Sequence, residues 1–506
     1  MNLQVQHIRK EADRLSHSLE SILHFAGDST SMDFYISSLT DYNPFNTTED
    51  IVARLQMLNE QEHFHVEQIP LTEMEQWYFD EATGDIRHVS GKFFSIRGLK
   101  VQTNIGPVKE WTQPVIYQPE IGVLGLITKK INGILYFLMQ IKTEPGNLNN
   151  FQLSPTVQAT RSNYTRVHGG KSTLYLDYFL TNDTSHILVD QLQSEQGARF
   201  YRKRNRNIII RVPNDQDIEL LPNFKWLTLG QIKQLARLDN LVNMDARSVI
   251  STISYDAEVK KNADPIREED IYDCLVSSSL VTKPIHPFSV KLVVSSHGNT
   301  RPLQTIDELL INISQHKFDC ILETQLIPLN EVQQWHRTEM EICHNRSRFF
   351  SVMGIRVTAE SREIPSWDQP IVRQISPGIV GFVAHDVEGV VHFLVQLKME
   401  SGNMDLLELA PTVQCITDSY KASTYPPFVS EIIEPNQGEI LFDTMQSEEG
   451  GRFYHEENRN IMVYYGDQSC FPQLPRYLYM TMHQLKLFTK FNNFLNVEAR
   501  SLLAIL

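Results

Sequence analysis

Cysteine is scarce and unpatterned in this chain. Cys274, Cys320, Cys343, Cys415 and Cys470 are scattered through 506 residues without a C-x-x-C spacing. That excludes a disulfide framework or a thiol-rich metal motif and fits core thiols in a reducing compartment. Long apolar runs are missing too: no eighteen consecutive apolar residues occur, so no membrane span is expected. The start, Met1-Asn-Leu-Gln-Val-Gln-His7, has no basic segment followed by an apolar one. No signal peptide is expected, and the expected localisation is cytoplasmic. Positive charge is in deficit, with 46 Lys and Arg against 61 Asp and Glu, so a nucleic-acid partner is not expected. There is no G-x-G-x-x-G after a strand, no P-loop, no G-x-S-x-G elbow and no H-E-x-x-H. Nicotinamide, ATP, serine-hydrolase and zinc chemistry therefore lack a signature. The expectation is proton transfer between side chains, with no cofactor and no metal.

What is present is a long internal repeat. Gln140-Ile-Lys-Thr-Glu-Pro-Gly-Asn147 returns as Gln396-Leu-Lys-Met-Glu-Ser-Gly-Asn403, and Leu153-Ser-Pro-Thr-Val-Gln158 as Leu409-Ala-Pro-Thr-Val-Gln414, both 256 positions on. Trp111-x-Gln-Pro114 and Trp367-x-Gln-Pro370 keep the same shift. Gln193-Ser-Glu-x-Gly-x-Arg-Phe-Tyr201 and Gln446-Ser-Glu-x-Gly-x-Arg-Phe-Tyr454 are 253 apart, as are Asn243-x-x-Ala-Arg-Ser248 and Asn496-x-x-Ala-Arg-Ser501. A period this long is a domain duplication, not a solenoid. Two modules are expected, 1–255 and 271–506, joined by the polar stretch 256–270.

Each half reads helix, then strands, then helix. Apolar residues at helical spacing predict a helix over Leu3–Phe25, and Thr47-Thr-Glu-Asp50 caps a second. Short alternating runs punctuated by glycine follow, with Asn132-Gly133 as a tight hairpin turn. Leu227–Ser251 reads as one amphipathic helix. The second half repeats this with a helix at Thr305–Ser314, strands from Phe318 to Tyr465 and a terminal helix from Thr481. Strands flanked by helices without regular βαβ alternation indicate an α+β fold.

Three polar constellations stand out. Gln140 and Lys142 alternate onto one strand face with Glu144, as do Gln396, Lys398 and Glu400. They could form a tuned acid–base pair or simply a solvated face with a weak ion pair. The loop from Pro155 carries Gln158, Arg161, Asn163, Tyr164, Arg166 and His168; its copy keeps Gln414 and Tyr420 but loses both arginines. It reads as a ligand loop, or as a loop that satisfies its own backbone. The third runs from Arg199 and Tyr201 to Asn207, and from Arg452, Tyr454 and His455 to Asn460. An arginine fork suits a diphosphate and an aromatic can stack on a base. Arg202, Lys203 and Arg204 could equally form an exposed hairpin.

These motifs resemble the signatures of the NDP-hexose 2,3-dehydratases, over nearly the whole chain. The resemblance implies two tandem Nudix-like modules, each a mixed sheet with flanking helices and each holding a nucleotide-sugar pocket, in a homodimer. It also implies loss of the C2 hydroxyl from an NDP-4-keto-6-deoxyglucose, usually the dTDP sugar, with a reductase or aminotransferase consuming the diketo product. The Nudix box that holds magnesium is absent from both halves. In that light Tyr164, His168, Lys142 and Glu144 are candidates for proton transfer. Gln158, Arg161, Asn163, Arg166, Arg199, Tyr201, Asn207 and Trp111 are candidates for binding in the first pocket. The second pocket would comprise Lys398, Glu400, Gln414, Tyr420, Arg452, Tyr454, His455, Asn460 and Trp367. The more basic first pocket is the preferred reacting site. A non-catalytic nucleotide-sugar sensor and a Nudix-type pyrophosphatase are the alternatives.

Overall fold

A computed structural model describes residues 2–26, 30–61, 64–160, 173–181, 183–260, 264–359 and 366–506. The architecture is α+β, built on four sheets in two matched pairs: two larger mixed sheets and two smaller antiparallel ones.

The larger sheet of the first half runs Ile187–Ser194, Arg204–Arg211, Gly122–Ile131, Ile134–Thr143, Phe224–Thr228, with Phe151–Ser154 and Val157–Ala159 paired to its centre. Arg204–Arg211 lies parallel to Gly122–Ile131, and the other neighbours are antiparallel. The second half repeats this with Gly378–Val387 and Val390–Lys398 at the centre and Glu457–Tyr464 parallel to the first of them. The central strands are near-continuous apolar runs because both faces are buried. In the second half Val380 and Phe382 join the cluster shared with helices and the other half, while Ile379 and Val383 join a separate cluster within their own half. As expected, Asn132 and Gly133 turn the first hairpin, with φ of 52° and 86°.

The smaller sheets exchange strands between halves. Phe64–Ile69 pairs antiparallel with Phe350–Ala359 of the second half. Reciprocally, Leu322–Ile327 pairs with Ser95–Thr103 of the first. Each five-stranded sheet therefore contains one strand from across the repeat boundary.

Two sequence expectations differ from the structure. Leu227–Ser251 is not one helix: Leu229–Leu235 and Met244–Ser251 are separated by a bend at Asn240, whose φ is 56°. There the backbone leaves the helix to bond Leu153 on both sides, through Leu241 O and Asn243 N. Asn243 then caps the next helix by accepting from Ala246 N. The terminal helix divides in the same way into Met482–Phe488 and Val497–Ile505. The stretch 256–270 is not wholly a linker either. Val259 bridges Phe25, and a helix begins at Glu268.

Met244–Ser251 and Val497–Ile505 pack against each other where the halves meet. Arg247 and Arg500, both 0% exposed, reach across: Arg247 Nε donates to Ser501 Oγ at 2.7 Å and Arg500 Nε to Ser248 Oγ at 3.2 Å. Arg247 also donates to Gln446 Oε1 and Ser447 O, and Arg500 to Ser194 O.

Candidate active site

Two clusters of polar side chains lie on either side of this helix pair, each built from both halves. In the first, Lys142 and Glu144 come from the end of a central strand. Lys142 Nζ lies 3.2 Å from Glu144 Oε1, and Gln158 Nε2 donates to the same oxygen at 2.8 Å. Asn243 Nδ2 donates to Gln158 Oε1 at 3.2 Å, tying the strand to the start of Met244–Ser251. The turn Glu144–Asn147 lies against Gly450 of the second half, and Gly146 N donates to Gly450 O at 2.7 Å. That contact delivers Arg452, whose guanidinium stacks 4.1 Å over the buried Phe94 ring. Phe94 belongs to the first half.

The second cluster is the reciprocal. Gln414 Nε2 donates to Glu400 Oε1 at 3.0 Å, and Asn496 Nδ2 to Gln414 Oε1 at 2.7 Å. Lys398 Nζ donates to Gln414 O at 2.7 Å. Gly197 N, from the first half, donates to Glu400 Oε2 at 3.1 Å, and Arg199 stacks 4.3 Å over Phe350. The sequence grouped Arg199 with Lys142 and Arg452 with Lys398. The structure crosses them, because each arginine loop docks on the other half's Glu-x-Gly-Asn turn.

The electrostatics of the clusters come from burial. Burial raises Asp245, beside Glu449, Glu195 and Glu144 in the first cluster. It raises Glu498 likewise in the second, beside Glu400 and Glu448. Glu448 and Glu449 are pushed up to about 7, opposed by Arg247 and Arg452 respectively. Burial also lowers Lys203 and Arg452. Glu144 Oε2, Arg452 Nε, Glu456 Oε2 and Glu498 Oε2 are buried without a hydrogen-bond partner among the described residues. Buried polar atoms left in this state mark a place where substrate or water completes the set. Among the described residues no group of three His, Cys, Asp or Glu side chains is arranged to hold a metal ion.

The remaining candidates divide. Trp111 Nε1 donates to Gln113 Oε1, and Gln113 Nε2 donates to Ala198 O, so the tryptophan braces the Arg199 loop. Trp367 and Gln369 brace Gly451 in the same way. Tyr201 and Tyr454 pack in small apolar clusters with these tryptophans. His455 stacks on Tyr454 at 4.1 Å, and burial lowers its pKa. Asn207 and Asn460 are buried, each donating to the backbone two residues before it. Tyr420 is 44% exposed. Arg161, Asn163, Tyr164, Arg166 and His168 lie outside the described residues.

Lys203 is not part of an exposed hairpin: it is 5% exposed and donates to Glu120 O. Its counterpart in the repeat is Glu456, pushed up to about 8 by burial against the opposing pull of Arg199. The two clusters thus differ by a lysine in one and a glutamate in the other. Sequence reasoning left Lys203 between an anion-binding stretch and an exposed hairpin, and missed Asp245, Glu498, Glu195, Glu448 and the two phenylalanines as members of the clusters. Several sat inside matched repeat motifs, which was the available signal.

The family model for NDP-hexose 2,3-dehydratase matches residues 48–253 and 307–506. The chain belongs to this family. Three curated relatives, each named dTDP-4-dehydro-6-deoxy-alpha-D-glucopyranose 2,3-dehydratase, align over most of its length. The protein of Saccharopolyspora spinosa is 37% identical over 488 residues, 95% of each chain. That of Amycolatopsis orientalis is 39% identical, covering 90% of this chain and 89% of its own. That of Streptomyces violaceoruber is 40% identical, covering 87% and 93%. As an NDP-hexose 2,3-dehydratase the chain is a hydro-lyase acting on a nucleotide sugar. Among the described residues no helix is long and apolar enough to cross a membrane.

Proposed function

We propose that the substrate is dTDP-4-keto-6-deoxy-D-glucose and the product dTDP-3,4-diketo-2,6-dideoxy-D-glucose. The C4 ketone acidifies the C3 hydrogen, which a base removes as a proton to leave an enolate. The C2–oxygen bond then breaks, its electron pair stays with oxygen, and an acid delivers the proton that completes water. The C2–C3 enol takes a proton at C2, gives up its C3 hydroxyl proton to a base and becomes the C3 ketone. No electrons leave the substrate, so the elimination needs only positioned acids, bases and donors to the C4 oxygen.

The observation that carries this reading is the double cluster itself. In each case a partly buried network of Lys, Glu, Gln and Asn is met by an arginine from the other half. In the first pocket we assign proton transfer to Lys142 and Glu144 with Tyr164 and His168, and the diphosphate to Arg452 with Arg161 and Arg166. Gln158 and Asn163 serve the sugar. In the second pocket Arg199 takes the diphosphate, beside Lys398, Glu400 and Gln414. One difference bears on the second pocket as the reacting one: burial pushes Glu456 up to about 8, a candidate acid for the leaving hydroxyl where the first pocket has Lys203.

The modules are Nudix-like, spanning 1–255 and 271–506, in a cytoplasmic homodimer. A reductase or an aminotransferase consumes the diketo product. The test is incubation with dTDP-4-keto-6-deoxyglucose, a 3-ketoreductase and NADPH, following the sugar by mass spectrometry. Recovery of a 2,6-dideoxy-4-keto sugar is expected. Binding without turnover would instead indicate the sensor, and magnesium-dependent release of a nucleoside monophosphate the pyrophosphatase.

A further inference from the structure

Where the halves meet lies a cavity of about 490 Å³, and none of the residues forming the two polar clusters lines it. Two of its lining residues, Lys233 and Lys486, occupy equivalent places in the repeat. Lys233 Nζ donates to Tyr255 Oη at 2.9 Å and to the main-chain oxygen of Leu506 at 3.2 Å. Lys486 Nζ donates to Ser251 O at 2.9 Å. Both ammonium groups converge on one ring, 5.2 and 6.0 Å from the Tyr255 centroid. Arg237 also lines the cavity.

No Asp or Glu side chain among the described residues pairs with this charge, and Lys233 meets the oxygen of Leu506, the last residue of the sequence. Lys486 is 6% exposed. The charges acting on them are cationic: Arg237 on Lys233, and Lys233 on Lys486. Asp41 lines the cavity, but its carboxylate accepts from Thr282 N, Lys283 N and Gln234 Nε2. Lys283, on the same wall, is paired with Glu49. An ammonium carries three donors, so Lys233 and Lys486 hold donors in reserve. Burial pushes both lysines down to about 7. Of the three cations Lys486 is buried, Lys233 is partly buried and Arg237 is exposed at the rim; a buried ammonium without a carboxylate partner is costly. Elsewhere the walls are apolar, with Leu275, Val281, Leu292 and Val293 among them.

We propose that this cavity is a second ligand site, which takes a small organic anion carrying a carboxylate or phosphate head on an apolar body. The head meets Lys233, Lys486 and Arg237, and the body lies against Tyr255 and the aliphatic wall. The space suits one such molecule and exceeds the lower end of ordinary ligand pockets.

The test uses the full chain and the fluorescent sulfonate 1-anilinonaphthalene-8-sulfonate, titrated in the presence of saturating dTDP. One molecule is expected to bind per chain, to be displaced by decanoate, and to resist decanol and inorganic phosphate at the same concentration. In the K233M/K486M variant, affinity is expected to fall at least tenfold while turnover of the nucleotide sugar persists. Should that variant fail to fold, K486M alone must lose the rise in melting temperature that decanoate gives the unmodified protein. Unchanged binding in the variants, displacement by dTDP, or equal displacement by decanol would each overturn the proposal.

Discussion

At the scale of single residues, the two clusters differ by few side chains, and those differences are testable. If the first pocket reacts, Lys142→Ala should lower kcat by roughly 10²–10⁴-fold, the range for loss of a proton-transfer group. Lys398→Ala should then act mainly on stability or affinity. The reverse ordering in steady-state kinetics would move the reaction to the second pocket. A second difference lies beneath the clusters. Ser194 Oγ donates to Glu408 Oε2 at 2.7 Å, whereas in the other half Ser447 Oγ donates to Gln152 Oε1 at 2.9 Å. Glu408 is 1% exposed, and burial raises its pKa from an ordinary 4.5 to about 8. The folded state therefore holds a proton that the unfolded chain releases. Stability from this group is full below about 4.5 and falls as pH rises towards about 8. Glu408→Gln recreates the arrangement of the other half. It should change little at pH 5 and stabilise the protein at pH 9 by on the order of 1–4 kcal/mol. Urea melts at the two pH values measure this, and equal effects at both would refute the assignment.

At the scale of elements, the turns that join the halves leave no room for a side chain. A Cβ on Gly146 would collide with the Phe453 carbonyl oxygen, and one on Gly402 with that of Phe200. The neighbours are backbone and cannot step aside. Gly146→Ala should therefore cost at least about 2–3 kcal/mol, as overpacking does, and displace Arg452 from its place over Phe94. Gly389 makes a useful control: its φ is 83° but nothing lies within 4 Å of a built Cβ. Ala there should cost only about 1 kcal/mol, from backbone strain. Similar losses in chemical melts would argue against close packing as the cause. The elements themselves were largely legible. Asn132-Gly133 announced its hairpin through the positive φ it requires, and alternation marked strands with one open face such as Phe64–Ile69, whereas the central strands are near-continuous apolar runs. The break at Asn240 was hidden, because an amphipathic pattern continues through a bend whose cause is a bond to Leu153, far away in the sequence.

At the scale of the molecule, the duplication produces a chain whose halves complete each other. Phe64–Ile69 and Leu322–Ile327 are each bonded into the other half's sheet, and Arg247 and Arg500 are each bonded across the same junction. Fragments 1–260 and 264–506 should therefore not fold when expressed apart, since each lacks a strand and leaves a buried arginine unanswered. Expressed together they should reassemble into a species of the full size, which circular dichroism and gel filtration would register. Two separately folded fragments would contradict the exchange. The sequence by itself determined the internal repeat, the α+β character and the Lys, Glu, Gln and Arg residues that recur in the two polar clusters. These are properties of local pattern and of motifs repeated along the chain. Only the tertiary structure decided which half each arginine serves, that Lys203 and Glu456 are buried opposite numbers, and that two distant lysines share one cavity. Those facts depend on pairing across more than two hundred residues, and no local periodicity encodes such a contact.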